Sequence, residues 1–319
     1  MRILTLTLLQ ILLTACGNGT SPDKSWRLAP NGITAAAVAD NRALLASSET
    51  GATWWQLRPK RLLHTFRHGS TQLQNLVAVA VTKDGRLAVT ADRDGIAWWD
   101  TRAGRALASW ALEGIQAVAL SGDGHWALIG LRDRAIYFSL RHGKTRYVFA
   151  HDRAVKAVAL DEQGRFALTG SDDGTAKLWD LGSGRLRHRW SHPGKVAAVA
   201  LSPRGTYAMT NALLSPIRIW KTSSGKLKRK LGPQYITVTR AVFSSGETLL
   251  FTGHPSQGVK LWSVKSGRLL RQFRPVGANF WRPTASPVLA LTLARKGKYL
   301  LGATSDGSVQ RWSIRSGKR

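Results

Sequence analysis

The sequence predicts an all-β chain: a seven-bladed β-propeller of four-stranded antiparallel blades, its last blade closed by an N-terminal strand. Three observations predict it. Tryptophans that end short apolar runs recur at Trp55, Trp99, Trp179, Trp220, Trp262 and Trp312, with Phe138 in the remaining slot. Runs of small and β-branched residues around Val38, Val79, Val118, Val158, Val199, Val242 and Leu291 keep the same beat. Asp-Gly and Ser-Gly turns fall between these runs, as in hairpins. A period of about 40 residues sustained over seven units is the mark of a repeat architecture. A ring of radial sheets accommodates it and leaves only short strand edges exposed.

The fourth unit shows the strands most plainly. Lys156-Ala157-Val158-Ala159-Leu160 reads as a first strand, and Glu162-Gln163-Gly164 as its turn. Phe166 to Gly170 is a second strand, Ser171-Asp172-Asp173-Gly174 a turn, and Ala176 to Asp180 a third strand. Ser183-Gly184 then leads to an outer strand, Leu186 to Trp190. The first strand of each unit is rich in Ala and Val on both faces, as suits the crowded axis of a ring. The last unit stops at Lys318-Arg319, where its outer strand should begin, and Ser25-Trp26-Arg27-Leu28 has that strand's composition. Those residues are expected to close the ring.

The Lys177-Leu178-Trp179-Asp180 ending, repeated as Trp98-Trp99-Asp100, resembles the WD-repeat (WD40) family, and the resemblance runs from Ser25 to the end of the chain. It implies a buried hydrogen-bonded set in each blade: a His before the first strand, a Ser or Thr on the second, the turn Asp and the Trp. Such a set is structural, because buried polar groups must be paired. Only the fourth unit reads as carrying it whole, in His151, Thr169, Asp173 and Trp179. Other units show fragments, such as Asp94 with Trp99 and Asp306 with Trp312. The resemblance also implies a binding platform for an unidentified protein partner rather than an enzyme.

The N-terminus carries an address. Arg2 precedes an apolar stretch, Ile3 to Leu13, too short to span a bilayer as a helix. Leu13-Thr14-Ala15-Cys16 followed by Gly17 resembles the bacterial lipobox, and Cys16 is the only cysteine of the chain. The resemblance implies diacylglyceryl transfer to Cys16 and cleavage before it. Residues 1–15 are then a signal peptide, 16–24 a tether and 25–319 the propeller. The expected location is the periplasmic side of a bacterial envelope membrane, with Gly17 favouring the outer one. One cysteine also excludes an intramolecular disulfide and a cysteine-based zinc site.

Charge supplies the second functional lead. Lys and Arg number 47 against 18 Asp and Glu, a formal net charge of +29 among 319 residues. Such a balance favours anionic partners. Basic residues follow the third-to-outer-strand turn in every unit, and on a propeller these positions ring the circumference and one rim. Lys226, Lys228, Arg229, Lys230, Arg268 and Arg271 are the candidate contacts to an anionic lipid or lipopolysaccharide surface. The alternative is that cations merely protect strand edges from pairing with other molecules. Nucleic acid matches the charge but not the compartment of a secreted lipoprotein.

A wider gap between the repeat tryptophans Trp262 and Trp312 marks an insertion from Pro275 to Pro287. It contains Phe280-Trp281-Arg282, aromatic and arginine together as in interface hot spots, and is the candidate partner-binding loop; the alternative is that Trp281 packs down over the last blade. Leu213-Leu214-Ser215-Pro216 occupies another loop of the same face. The eight histidines are scattered without metal-ligand spacing, and Asp123, Asp133 and Asp172 are turn residues. Neither a cofactor loop nor a nucleophile elbow is present. The sequence therefore reads as a membrane-anchored scaffold for protein–protein interaction in the cell envelope. A binder of anionic envelope components is the alternative, and a propeller enzyme a distant third.

Overall fold

In a computed structural model, which describes residues 19–68, 75–276 and 286–314, the chain is all β. Seven antiparallel sheets of four strands stand in a ring, the first six built inner strand to outer strand in chain order. Blade 1 consists of Ala35–Ala39, Arg42–Ser47, Gly51–Leu57 and Lys60–Phe66. Blade 4 consists of Val155–Leu160, Phe166–Ser171, Thr175–Asp180 and Leu186–Ser191. The remaining blades repeat this plan, with inner strands Ala78–Val81, Ala117–Leu120, Val196–Leu201, Arg240–Phe243 and Val288–Ala294.

Blade 7 takes its outer strand from the other end of the chain. Lys24–Arg27 pairs antiparallel with Ser308–Ser313, Trp26 opposite Val309 and Lys24 opposite Arg311. An ion pair locks the seam: the Arg311 guanidinium donates to the Asp23 carboxylate at 2.7 Å. Leu28 then turns inward and packs with Val309, Leu301 and Leu45, so that the first and last blades share one core cluster. This is the closure expected from the truncated last repeat. Two further residues, Gly19–Thr20, lie parallel to Leu269–Phe273 and extend blade 6 by a short fifth strand.

The core lies between blades rather than within them, because a single sheet cannot bury both of its faces. Trp54, Leu44 and Ala46 of blade 1 pack with Ala88 and Trp99 of blade 2, and the same arrangement is passed round the ring. Crowding decides composition on the second strands. A Cβ at Gly253 would come within 2.7 Å of Val288, and one at Gly170 within 2.6 Å of Val196, the first residue of the next blade. Glycine at these two positions is what lets neighbouring blades close together. In blades 1 to 6 the outer strand carries a bulge opposite the third strand's Trp or Phe, as at Leu178/Trp179 and Ile219/Trp220. One extra residue bends and twists the strand there, which suits an edge at the circumference.

Candidate functional site

Antiparallel blades place their loops alternately on two faces. One face, called here the loop face, carries the second-to-third turns and the connections from each outer strand to the next blade. The opposite face carries the other two turns. Four regions follow from this geometry: the buried polar sets, the loop face, the circumference and the central channel.

In blade 4 the four residues form one relay. The Trp179 indole N–H donates to Thr169 Oγ1 at 3.0 Å, and Thr169 Oγ1 lies 2.8 Å from His151 Nε2. His151 Nδ1 reaches Asp173 Oδ2 at 2.8 Å. The pattern is satisfied throughout by a neutral imidazole that accepts from Thr169 and donates to a carboxylate. Burial pushes the His151 pKa down, against the pull of Asp173. Burial alone would raise the Asp173 pKa, but hydrogen bonds from Thr175, His151 and the Asp152 backbone take it down to about 2.

Blade 4 is not alone, which corrects the reading from sequence. Blade 2 holds a second complete set: Trp99 Nε1 donates to Thr90 Oγ1 at 2.8 Å, with His68 between Thr90 (2.6 Å) and Asp92 (3.1 Å). The carboxylate is Asp92, not Asp94. The turn is shorter than in blade 4, so the acceptor stands two residues after the threonine instead of four. Blade 6 reaches the same end differently. Trp262 donates to Thr252 Oγ1, Thr252 meets His254 Nε2 at 2.9 Å, and His254 Nδ1 donates to the Thr237 carbonyl at 2.7 Å. Here the histidine comes from the turn and a backbone oxygen replaces the aspartate. His254 is buried, and desolvation takes its pKa down to about 4.

The other blades keep less. In blade 5, Trp220 donates to Thr210 at 2.8 Å, but both ring nitrogens of His192 are buried without a hydrogen-bond partner. Leu214 stands where blade 4 has Asp173. Burial, with the nearby Arg218 charge, takes the His192 pKa down to about 4. In blade 7, Asp306 accepts from Thr304 and Ser308, while Trp312 Nε1 donates to the Arg274 carbonyl at 3.4 Å; the two are not joined. Blade 5 adds a residue that sequence reasoning missed. Asn211 is fully buried and stitches blade 5 to the next connection, donating to the Ser215 and Ile236 carbonyls and accepting from Val238 N–H. A lone Asn in a strand otherwise filled by Gly or Ala at that position was the available signal.

On the loop face, Leu213, Leu214, Tyr235 and Val276 are exposed side chains of blades 5 and 6 and of the connections that follow them. Leu214 is held at φ +56°, the left-handed region, at the tip of its turn. Phe280, Trp281 and Arg282 lie outside the described residues, as does Cys16.

On the circumference, the seven outer strands carry thirteen Lys and Arg and no Asp or Glu. Lys226, Arg229, Lys230 and Arg268 are exposed, whereas Lys228 and Arg271 are half-buried. The Lys228 ammonium sits 4.8 Å from the Tyr207 ring, and Arg271 donates to the Ile314 carbonyl at 3.2 Å. Arg229 donates to the Lys265 carbonyl at 3.1 Å, bridging adjacent blades. The carboxylates are elsewhere. Asp84, Asp100, Asp123, Asp161 and Asp180 accept backbone N–H groups within their own turns. Hydrogen bonds from Ala103 and Ser183 N–H hold Asp100 and Asp180, respectively, below the usual carboxylate range.

The channel encloses a cavity of about 360 Å³, walled by alanine and valine of the inner strands of blades 2 to 6 with Ala36. Its polar residues are Gln116, Lys156, Thr239 and Arg240. The Lys156 ammonium donates to the Gln116 side-chain oxygen. Arg240 donates to the Thr239 carbonyl at 2.8 Å and is exposed to the open channel. Among the described residues no His, Cys, Asp and Glu cluster could hold a metal ion, and no helix is long and apolar enough to cross a membrane.

No curated protein matches the chain. Residues 143–180 match the family described as "WD domain, G-beta repeat". The matched stretch begins just before the outer strand of blade 3, Lys144–Ala150, and ends with the third strand of blade 4. It contains the whole His151, Thr169, Asp173 and Trp179 relay. Over that repeat the chain is similar to the WD-repeat family, which supports the same reading for the ring of seven blades around it.

Proposed function

We propose that the protein is a membrane-tethered platform that binds another protein through its loop face. The observation that carries this reading is the group of exposed Leu213, Leu214, Tyr235 and Val276 on loops of a ring whose core is buried between its blades. Large apolar side chains held in water on a rigid frame gain free energy when a partner covers them. Function at such a face is binding; the buried polar relays serve stability. The lipobox resemblance supplies the membrane, with Cys16 as the lipidated residue and the periplasmic side of the outer membrane as the place. Pairing of Gly19–Thr20 on blade 6 supports a short leash. Only Gly17 and Asn18 separate Cys16 from Gly19, a reach of roughly 10 Å when extended.

A second reading rests on the circumference, where cations outnumber carboxylates without exception. Here the ring binds anionic lipid or lipopolysaccharide directly. Each cation held near an anionic membrane contributes about 1 kcal/mol, screened by salt. One experiment separates the two. A photo-cross-linker at Leu214 or Tyr235 is activated in intact envelopes, which are then washed in high salt. A stoichiometric protein adduct, lost when the probe is moved to Lys298 on the opposite face, is expected. No adduct, with all binding released by salt, would overturn the platform and leave the cationic surface as the working part.

A further inference from the structure

The channel holds one residue that its repeat does not account for. Register fixes seven equivalent inner-strand positions, each one residue before the position opposite the threonine of the polar relay or its replacement. Six are alanine: Ala35, Ala78, Ala117, Ala157, Ala198 and Ala290. The seventh, in blade 6, is Arg240, paired with Gly253. The small residue is what crowding at the axis asks for, and the arginine sends a long cation into the cavity instead. Its one hydrogen bond is to the neighbouring Thr239 carbonyl, and it makes no ion pair among the described residues. Lys156, two blades away, lines the same cavity and has only the neutral Gln116 oxygen as partner.

Both cations are exposed to the open channel, and two like charges in one cleft walled by alanine and valine concentrate a positive potential that draws in an anion. Six alanines show that the fold does not need the arginine. We propose that the channel is a binding site for a small organic oxyanion, a carboxylate or a phosphate monoester, held by Arg240 and Lys156. The guanidinium offers a planar fork of donors that suits either oxyanion, and Lys156 adds a second, movable charge. Gln116 lies within the same lining to hydrogen-bond the remaining polar atoms. Ala117, Val118, Val158 and Val199 face the rest of the molecule, so the body is compact and apolar. At about 360 Å³ the space is that of a small-ligand pocket.

Isothermal titration of the full chain in detergent, at physiological ionic strength, tests the site with succinate and with glycerol 3-phosphate. Salt screens the many surface cations. One saturable site per chain for either probe is expected, and which probe binds tells carboxylate from phosphate. Arg240→Ala installs the residue of the other six blades, so it should fold and melt no lower than the parent. It should weaken binding at least tenfold, and Lys156→Gln should weaken it severalfold. Lys298→Ala, outside the channel, should change nothing. Equal binding by the parent and by Arg240→Ala would overturn the proposal. So would the failure of both probes to reach a dissociation constant of about 1 mM.

Discussion

At the scale of single residues, the threonine hydroxyl is the hinge of each polar relay, accepting from a tryptophan and facing a histidine. Thr169→Val keeps the shape and removes both bonds, leaving the Trp179 N–H and His151 Nε2 buried and unpaired. A loss of about 2 kcal/mol in urea unfolding is expected. Blade 3 shows why replacing everything costs less than replacing one member: Ile129 and Phe138 occupy the corresponding positions and bury no polar group. The histidines set a pH dependence. His192 and His254 have pKa values of about 4 in the fold against an ordinary 6.5, so the unfolded chain binds protons that the native one refuses. Stability is therefore full above pH 6.5 and falls as pH drops from 6.5 to 4. The buried His254 alone accounts for roughly 3 kcal/mol across that window. Asp173 acts lower. Its depressed pKa of about 2 gives stability that is lost as pH falls from about 4 through 2. Urea midpoints between pH 7.5 and 4.5 should drop, and His254→Gln should flatten the slope. The blade 4 relay was legible because its spacings follow the family pattern. Asp92 and His68 were not, because a shorter turn and a longer preceding connection shift both members along the sequence. Arg240 escaped notice because its meaning lies in strand register, which composition does not carry.

At the scale of elements, the repeat was legible wherever a strand ended in tryptophan and a glycine turn followed. The closing strand was legible for a different reason: the last unit lacks an outer strand, and an unpaired edge would have to be covered. The sequence suggested Ser25 to Leu28, and the strand proves to be Lys24–Arg27, with Leu28 leaving it for the core. Gly19–Thr20 could not be read, because two residues carry no periodicity. Trp26 is half-buried and lies 5.6 Å from the Arg58 guanidinium across the seam between blades 7 and 1. Trp26→Ala is expected to cost about 1–2 kcal/mol, less than a fully buried tryptophan. Hydrogen exchange should show the loss first in Tyr299–Ser313, with Phe166–Asp180 still protected. Uniform loss of protection would mean that the seam is no weaker than any other blade boundary.

At the scale of the whole molecule, charge is sorted by where the fold puts it, whereas exposed apolar side chains occur both on the loop face and, as at Val148 and Leu270, on the outer strands. Carboxylates are drawn into turns as acceptors for backbone N–H groups, so much of the negative charge is spent on local structure. Cations have no such use in a hairpin and project from the outer strands. The outer strands thus carry thirteen Lys and Arg and no carboxylate, a distribution visible in sequence as basic residues after every third strand. The apolar loop face was partly visible, in Leu213 and Leu214. Tyr235 and Val276 were not, because an exposed side chain in a connection has no pattern to betray it. The channel lining was legible as alanine and valine runs, but not the placing of Arg240 and Lys156, two blades apart, in one cavity.

The seam also has a mechanical meaning. Lys24–Arg27 and Ser308–Ser313, from the first and last described stretches of the chain, meet in blade 7, and the chain passes blade 6 at Gly19–Thr20 on its way there. A pull on the N-terminus would load the two-residue pairing of Gly19–Thr20 with Leu269–Phe273 before it reached Lys24–Arg27. The weaker contact would yield first and lengthen the leash, while the Asp23–Arg311 ion pair and the strand behind it stayed in place. The ring would thus have a sacrificial link between an applied force and the joint that keeps it closed.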